Sequence, residues 1–341
     1  WTLNIVTVKC LTDITPQLGF DYLKNFGFTT LVDREVRADG TIVSDITQSL
    51  ALGGITYGVK NVELNAAYAA IANGGTYIKP VYYTKILDHD GNILLENEPE
   101  SRQVIKPATA FLLTDAMVDV VTKGTGGSVN FGNMAIAGKT GTTSDYNDVW
   151  FSGYTPYYTC TTWAGYDNNT KLSTPVEKAL AKKIWRGVME EIHQGLEYKS
   201  FTTPEGITNA TVCNKSGKLS VDGLCTLDGS AHNEYFIAGT EPVEVCDCHV
   251  VGPVCAATGL RAGATCPFST QGIFITSPEG EGGEGGTGWC PHTVLDGLPF
   301  GSGDITLPGS ITDAMGDMNQ PGGVTPNTGE AANPLGIPTN P

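Results

Sequence analysis

Ala137-Gly-Lys-Thr-Gly-Thr-Thr143 stands just ahead of two alternating apolar runs, Val149 to Tyr154 and Tyr158 to Tyr166, with Thr155-Pro156 between them. Alternation with a period of two, bounded by turn residues, is the pattern of an antiparallel meander, so these seven residues read as its leading strand. On such a strand Lys139 places a fixed positive charge, and the hydroxyls of Thr140 and Thr142 can hydrogen-bond a carboxylate. Gly141 leaves room for a ligand to lie against the strand. Alone, a Lys-Thr-Gly tripeptide is equally well a surface lysine beside a turn. Its surroundings decide.

Upstream, Ile5, Val6, Val8 and Leu11 recur at helical spacing. Pro16 then opens a short helix whose apolar face carries Leu18, Tyr22, Leu23 and Phe26, and Gly27 stops it. Residues 45–58 read as a packed loop. Val62 to Asn73 is an alanine-rich helix ended by Gly74-Gly75, and Tyr77 to Leu95 a hairpin turning at Asp90-Gly91. Pro107 to Lys123 is a further helix, with Phe111, Leu112, Met117 and Val121 inward. Downstream, Thr174-Pro-Val-Glu177 combines a capping box with proline in the first turn. Val176, Leu180, Ile184, Val188 and Ile192 repeat every four residues and predict one apolar stripe on a long helix covering the sheet.

At 341 residues and 40% hydrophobic content the chain can build a sizeable core. Its net charge of −16 is concentrated late: no Lys or Arg follows Arg261, while eight acids do. That balance excludes nucleic acid as a partner, since phosphate binding needs a basic patch. No apolar run reaches transmembrane length. Trp1 follows no signal-peptide layout, and the chain reads as cut from something longer, with membrane contact expected only through an anchor upstream. Three segments are expected: residues 1–200 as the main domain, 201–276 as a cysteine-rich extension, and 277–341 as an acidic, Gly/Pro-rich tail too poor in apolar residues to order itself.

Cys10 and Cys160 sit in apolar stretches and read as buried thiols. The other seven cysteines fall between Cys213 and Cys290, a density that points to disulfides in an oxidising compartment, with Cys213–Cys225 the favoured pair. Cys246, Cys248 and His249, with Cys255 and Cys266, offer zinc as the alternative. They lack paired Cys-x-x-Cys knuckles, so no metal and no cofactor is assigned. His193 and His232 read as structural or solvent-facing.

Ser49-Leu-Ala-Leu-Gly-Gly54, Tyr68-Ala-Ala-Ile-Ala-Asn-Gly-Gly75, Ala137 to Thr143 and Val149-Trp-Phe-Ser-Gly-Tyr-Thr-Pro156 follow one another in order. Together with Glu234-Tyr-Phe and Gly239-Thr-Glu-Pro242, they make residues 1 to about 250 resemble the transpeptidase domain of class A, bifunctional penicillin-binding proteins. The resemblance implies an α+β fold akin to serine β-lactamases, a helical subdomain against an antiparallel sheet with the active site in the cleft between. It implies a peptidoglycan D,D-transpeptidase on the extracytoplasmic face of the bacterial membrane. In that reaction a serine attacks the D-Ala-D-Ala end of a stem peptide, and the acyl group passes to a neighbouring amine; β-lactams trap the serine.

By position, the resemblance makes Lys139 a holder of the substrate carboxylate that shapes the field at the nucleophile. Thr140 and Thr142 become carboxylate ligands beside Gly141, and the Thr142 N–H half of an oxyanion hole. Thr2-Leu3-Asn4 falls where the family has Ser-x-Asn, so Asn4 would bind the substrate amide and the Thr2 hydroxyl would relay a proton. No serine in the chain is followed by lysine three residues later. The Ser-x-x-Lys nucleophile, the first two sheet strands and the glycosyltransferase domain are therefore expected upstream, and the chain alone is expected to be inactive. The rival reading is a non-catalytic module that binds cell-wall peptides or β-lactams.

Overall fold

A computed structural model describes residues 3–132, 134–276 and 289–292. Thr2 and nearly all of the tail expected to be disordered lie outside the described residues. The elements are α1 (Asn4–Ile14), α2 (Pro16–Asn25), β1 (Glu35–Val36), β2 (Ile42–Val43), α3 (Asn61–Ala72), β3 (Thr76–Ile78), β4 (Lys85–Leu87), β5 (Ile93–Glu96), β6 (Ser101–Gln103) and α4 (Pro107–Thr122). After these come β7 (Ala137–Thr142), β8 (Asp148–Tyr154), β9 (Thr159–Gly165), α5 (Pro175–Lys178), α6 (Leu180–Ile192), β10 (Ile207–Cys213), β11 (Ala231–Ile237), β12 (His249–Cys255) and β13 (Ser269–Ile275). The described residues form two compact units, one within Trp1–Ala210 with Asn233–Glu241, the other of Thr211–His232 and the described residues from Pro242 on.

In the first unit the meander forms as the alternation predicts, an antiparallel sheet in the order β7-β8-β9. Val149 and Phe151 face α6, in a core with Val129, Phe131, Ile136, Leu172, Ala181, Trp185 and Met189. Tyr154 and Ala137 face the other way, toward Met117, Tyr68, Ile71 and Val118 of α3 and α4. The sheet is thus covered on one side by the closing helix and on the other by a helical layer, the α+β arrangement expected.

The predicted stripe on the closing helix is not its buried face. Val176, Ile184, Val188 and Ile192 are exposed, while Ala181, Trp185 and Met189 are buried. A four-residue repeat drifts by about 40° per step on an α-helix, so five such positions wind around the helix instead of marking one side. A break at Ala179 further divides α5 from α6. Trp185 settles the rotation. It packs edge-on to Phe151 at 5.0 Å, and its indole N–H donates to the Cys160 carbonyl at 2.9 Å. The capping box between Thr174 and Glu177 forms as predicted.

Three other expectations change. On α2 it is Phe20 that is buried, against Leu11 and Leu50, while Leu18 and Tyr22 are exposed. The long hairpin is two ladders: β4 pairs with β5, and β3 pairs with β6. Pro80 cannot donate to a ladder and follows the end of β3, while the Asp88 carboxylate accepts from the Asp90 and Asn92 amides and tightens the turn. Cys10 is exposed, and Cys160 is half-buried, with burial raising its thiol pKa.

The loop at 45–58 is organised by a buried carboxylate. Asp45 accepts from the Val32 amide at 2.8 Å, the Thr56 amide at 2.8 Å and the Thr56 hydroxyl at 2.6 Å. Burial works against its charge, but these donors outweigh burial and hold the pKa below 3.8. Glu63 behaves alike, held below 4.5 by Thr29 and Lys60. Because the unfolded chain protonates these carboxylates more readily, their stabilisation is present above about pH 4 and lost as pH falls through the folded values. Asp45→Ala should cost about 3 kcal/mol by leaving buried donors unmet, read as a lower chemical-denaturation midpoint.

Candidate functional site

Two glycines set the approach of β7 to β8. Gly138 and Gly153 are register partners. A Cβ on Gly138 would come within 2.7 Å of the Phe151 ring, and one on Gly153 within 2.8 Å of the Ala137 carbonyl oxygen. Gly141 has a related but looser role, its missing Cβ lying 3.1 Å from Trp150 Cβ. The room that glycine leaves at Gly141 is thus bordered by Trp150 of the neighbouring strand.

Register pairs Lys139 with Ser152, on the sheet face that carries Tyr154 and the helical layer, and pairs Thr140 with Phe151 on the α6 face. The lysine nonetheless reaches its neighbour. Its ammonium donates to the Thr140 carbonyl at 3.0 Å and approaches the Thr140 hydroxyl at 3.4 Å. Burial disfavours the charged form and lowers the Lys139 pKa below 10.5. The Thr140 hydroxyl shares a hydrogen bond with Thr125 at 3.0 Å, and the Lys182 ammonium donates to the Thr125 carbonyl at 3.3 Å. Lys139 and Thr140 of β7 are thus linked to Thr125 after α4 and to Lys182 on α6, a donor-rich chain suited to a carboxylate.

Thr125 and Lys182 were not singled out in the sequence. One follows a helix stop and the other lies on α6, and only the fold brings them to β7. Trp150, opposite Gly141, stacks at a tilt on Trp163 at 6.2 Å, giving the Lys139 face of the sheet an aromatic strip. Thr142 is exposed at the end of β7. The loop beyond it holds Asp145 and Tyr146 at φ 62° and 61°, a costly conformation for a tyrosine.

Asn4 opens α1 and is exposed. That helix packs against α2 and the 3-10 turn Gln48–Leu52, whereas β7 packs against α4 and β8. Lys139, Thr140, Gly141 and Thr142 are therefore brought together by one strand, and Asn4 comes from an element without extensive packing on it among the described residues. His193 is structural. Its Nδ1–H donates to the Met189 carbonyl at 2.6 Å, so Nε2 accepts from the Thr155 hydroxyl at 2.7 Å.

In the second unit the cysteines do not form the expected Cys213–Cys225 disulfide; every cysteine of the chain is a free thiol. Cys213, Cys246, Cys248 and His249 converge in one group, and Cys255, Cys266, Cys290 and His292 in another. Both groups have donors that metals take, where the sequence reading assigned none.

Comparison with known proteins agrees with the strand and sheet just described. Residues 3–190 match the penicillin-binding protein transpeptidase domain, and residues 203–251 match the C-terminal domain of penicillin-binding protein 1A. The chain belongs to the penicillin-binding protein transpeptidase family. It is 35% identical over 270 residues to penicillin-binding protein 1A of Clostridium botulinum, covering 78% of this chain and 31% of that protein. Against penicillin-binding protein 1A of Clostridium tetani it is 36% identical over 253 residues, covering 72% and 31%. The chain thus spans about a third of the length of these curated relatives. The crystal structure of penicillin-binding protein 1A from Haemophilus influenzae has the same fold, with a TM-score of 0.57 at 23% identity over 71% of this chain and 39% of that one.

Proposed function

We propose that this chain forms the substrate-carboxylate side of a peptidoglycan D,D-transpeptidase and acts with a serine nucleophile encoded ahead of Trp1. The observation that carries this reading is Lys139 on β7, half-buried and linked to Thr140, Thr125 and Lys182 beside the helical layer. A stem peptide ending in D-Ala-D-Ala presents one carboxylate next to its scissile amide. Thr140 and Thr142 would hold that carboxylate, and the Thr142 N–H would face the developing oxyanion. Lys139 would supply positive charge to the acyl-transfer site, with Asn4 binding the substrate amide and the Thr2 hydroxyl relaying a proton.

The surface supports an upstream contribution. Ile184, Val188 and Ile192 form an exposed apolar run on α6, and β9 is an edge strand of its sheet among the described residues. Strands supplied from upstream would add to that edge and cover the run, which otherwise invites self-association. The reaction would take place outside the cytoplasm. No helix among the described residues is long and apolar enough to cross a membrane.

The test is release of D-alanine from a D-Ala-D-Ala peptide by this chain joined to its encoded upstream residues. Penicillin-sensitive release is expected. Binding of the peptide with no release would contradict the reading and favour the non-catalytic module.

A further inference from the structure

The two cysteine groups are copies of one unit. Cys213-Asn-Lys-Ser-Gly217 and Cys255-Ala-Ala-Thr-Gly259 each end a strand and fold into the same turn. Gly217 and Gly259 take φ of 71° and 69°, and each donates its amide to the carbonyl of the leading cysteine at 2.8 Å. The leading cysteine amides donate in turn to the carbonyls of Lys218 and Leu260, both at 2.8 Å. Val212 bridges Leu219, and Val254 bridges Arg261; those partners bridge in parallel to Val245 and Trp289. The residues following these, Cys246 and Cys290, donate their amides to Leu219 and Arg261 at 2.8 Å. A second cysteine falls between, Cys225 in one copy and Cys266 in the other. A histidine closes each unit, His249 three residues after Cys246 and His292 two after Cys290.

The side chains converge within each copy. His249 Nδ1 lies 3.5 Å from Cys213 Sγ, 3.6 Å from Cys225 Sγ, 3.3 Å from Cys246 Sγ and 3.5 Å from Cys248 Sγ. A tetrahedral ion about 2.3 Å from sulfur and about 2.0 Å from an imidazole nitrogen sets sulfur–nitrogen separations near 3.5 Å. Disulfides would pair sulfurs two by two and leave the ring outside, whereas here the sulfurs surround one ring nitrogen. The far nitrogen is also held: His249 Nε2 meets Asp228 Oδ2 at 2.9 Å, and Asp228 accepts from the Ser230 hydroxyl at 2.6 Å. A carboxylate on the outer nitrogen, leaving the inner one to face a metal, is the usual support of a ligating histidine. In the second copy Cys255 Sγ lies 3.2 Å from His292 Nδ1, with Cys266 and Cys290 in the same group.

We propose that each copy binds one zinc ion, the first through Cys213, Cys225, Cys246 and His249, the second through Cys255, Cys266, Cys290 and His292. A donor set of three thiolates and one imidazole selects zinc over harder divalent cations. Cys248 adjoins the first set and has no cysteine counterpart in the second. The buried clusters of this unit consist mainly of the cysteines themselves, with Val221, Ala231 and Ile275 against one and Leu260 and Phe268 against the other. Cores that small need a staple, and metal binding energy would serve as folding energy.

The test is elemental analysis of the whole chain purified without chelator, followed by exchange with cobalt(II) as a spectroscopic probe. Two zinc ions per chain are expected, with the intense thiolate-to-cobalt absorption of tetrahedral sites after exchange. Cys213→Ser with Cys246→Ser should remove one ion, and Cys255→Ser with Cys290→Ser the other. Should those variants fail to fold, hydrogen exchange on the unaltered chain decides. A strong chelator should strip protection from amides in 211–232 and 242–276 and leave β7, β8 and β9 protected. Zinc no higher than in the buffer, unchanged protection on chelation, or disulfides mapped among these cysteines by non-reducing mass spectrometry would overturn the proposal. None of these readouts depends on transpeptidase activity.

Discussion

Lys139→Ala, made in this chain joined to its encoded upstream residues, is expected to slow acylation by penicillin by about 10²–10³-fold without unfolding the protein. The lysine is half-buried, and its ammonium reaches the carbonyl and hydroxyl of Thr140, so truncation removes a charge and its hydrogen-bond donors from β7. Lys139→Arg should recover only part of the rate, because a planar fork does not take the place of a compact ammonium. The pH profile gives an independent sign. Burial holds the Lys139 pKa below 10.5, so the charge is lost at lower pH than for an ordinary lysine, and the rate should decline on the alkaline side correspondingly early. Rates of labelling by a fluorescent penicillin, with circular dichroism melting as the control for folding, check both statements. An unchanged rate in Lys139→Ala would remove the lysine from the site.

Trp185→Ala is the largest stability effect expected in the first unit. Its side chain is fully buried, packs on Phe151 and hydrogen-bonds Cys160. Emptying such a site costs about 3–5 kcal/mol, or a melting temperature lower by roughly 10 °C for a domain of this size. Ile184→Ala, one residue away on the exposed side of α6, should stay within about 1 kcal/mol. Thermal melts of the two variants compare them directly. Equal losses would mean that the helix is rotated from the position described.

The meander was legible because alternation and turn residues act locally. Val149 to Tyr154 and Tyr158 to Tyr166 became β8 and β9, and Ala137 to Thr142 became β7. The rotation of α6 was not legible. Several four-residue series run through any helix rich in apolar residues, and which one faces inward depends on the volume and hydrogen bonds of Trp185. Phe20 prevailed over Leu18 and Tyr22 in the same way. The strand half of the site lay in the sequence because Lys139, Thr140, Gly141 and Thr142 are contiguous. Thr125 and Lys182 lay outside it because their approach to Thr140 is made by tertiary packing. The duplicated Cys-x-x-Ser/Thr-Gly turns were present in the text. Cysteine density alone does not separate disulfides from metal ligands, whereas the matching backbone hydrogen bonds of the two turns show the repeat.

If this chain is one side of a serine acyl-transfer site, intact mass spectrometry after incubation with a penicillin will show it. The 341-residue chain should take up no adduct. Joined to its encoded upstream residues it should take up one, mapped to a serine ahead of Trp1. An adduct on a residue within this chain, or none on the joined protein, would contradict it.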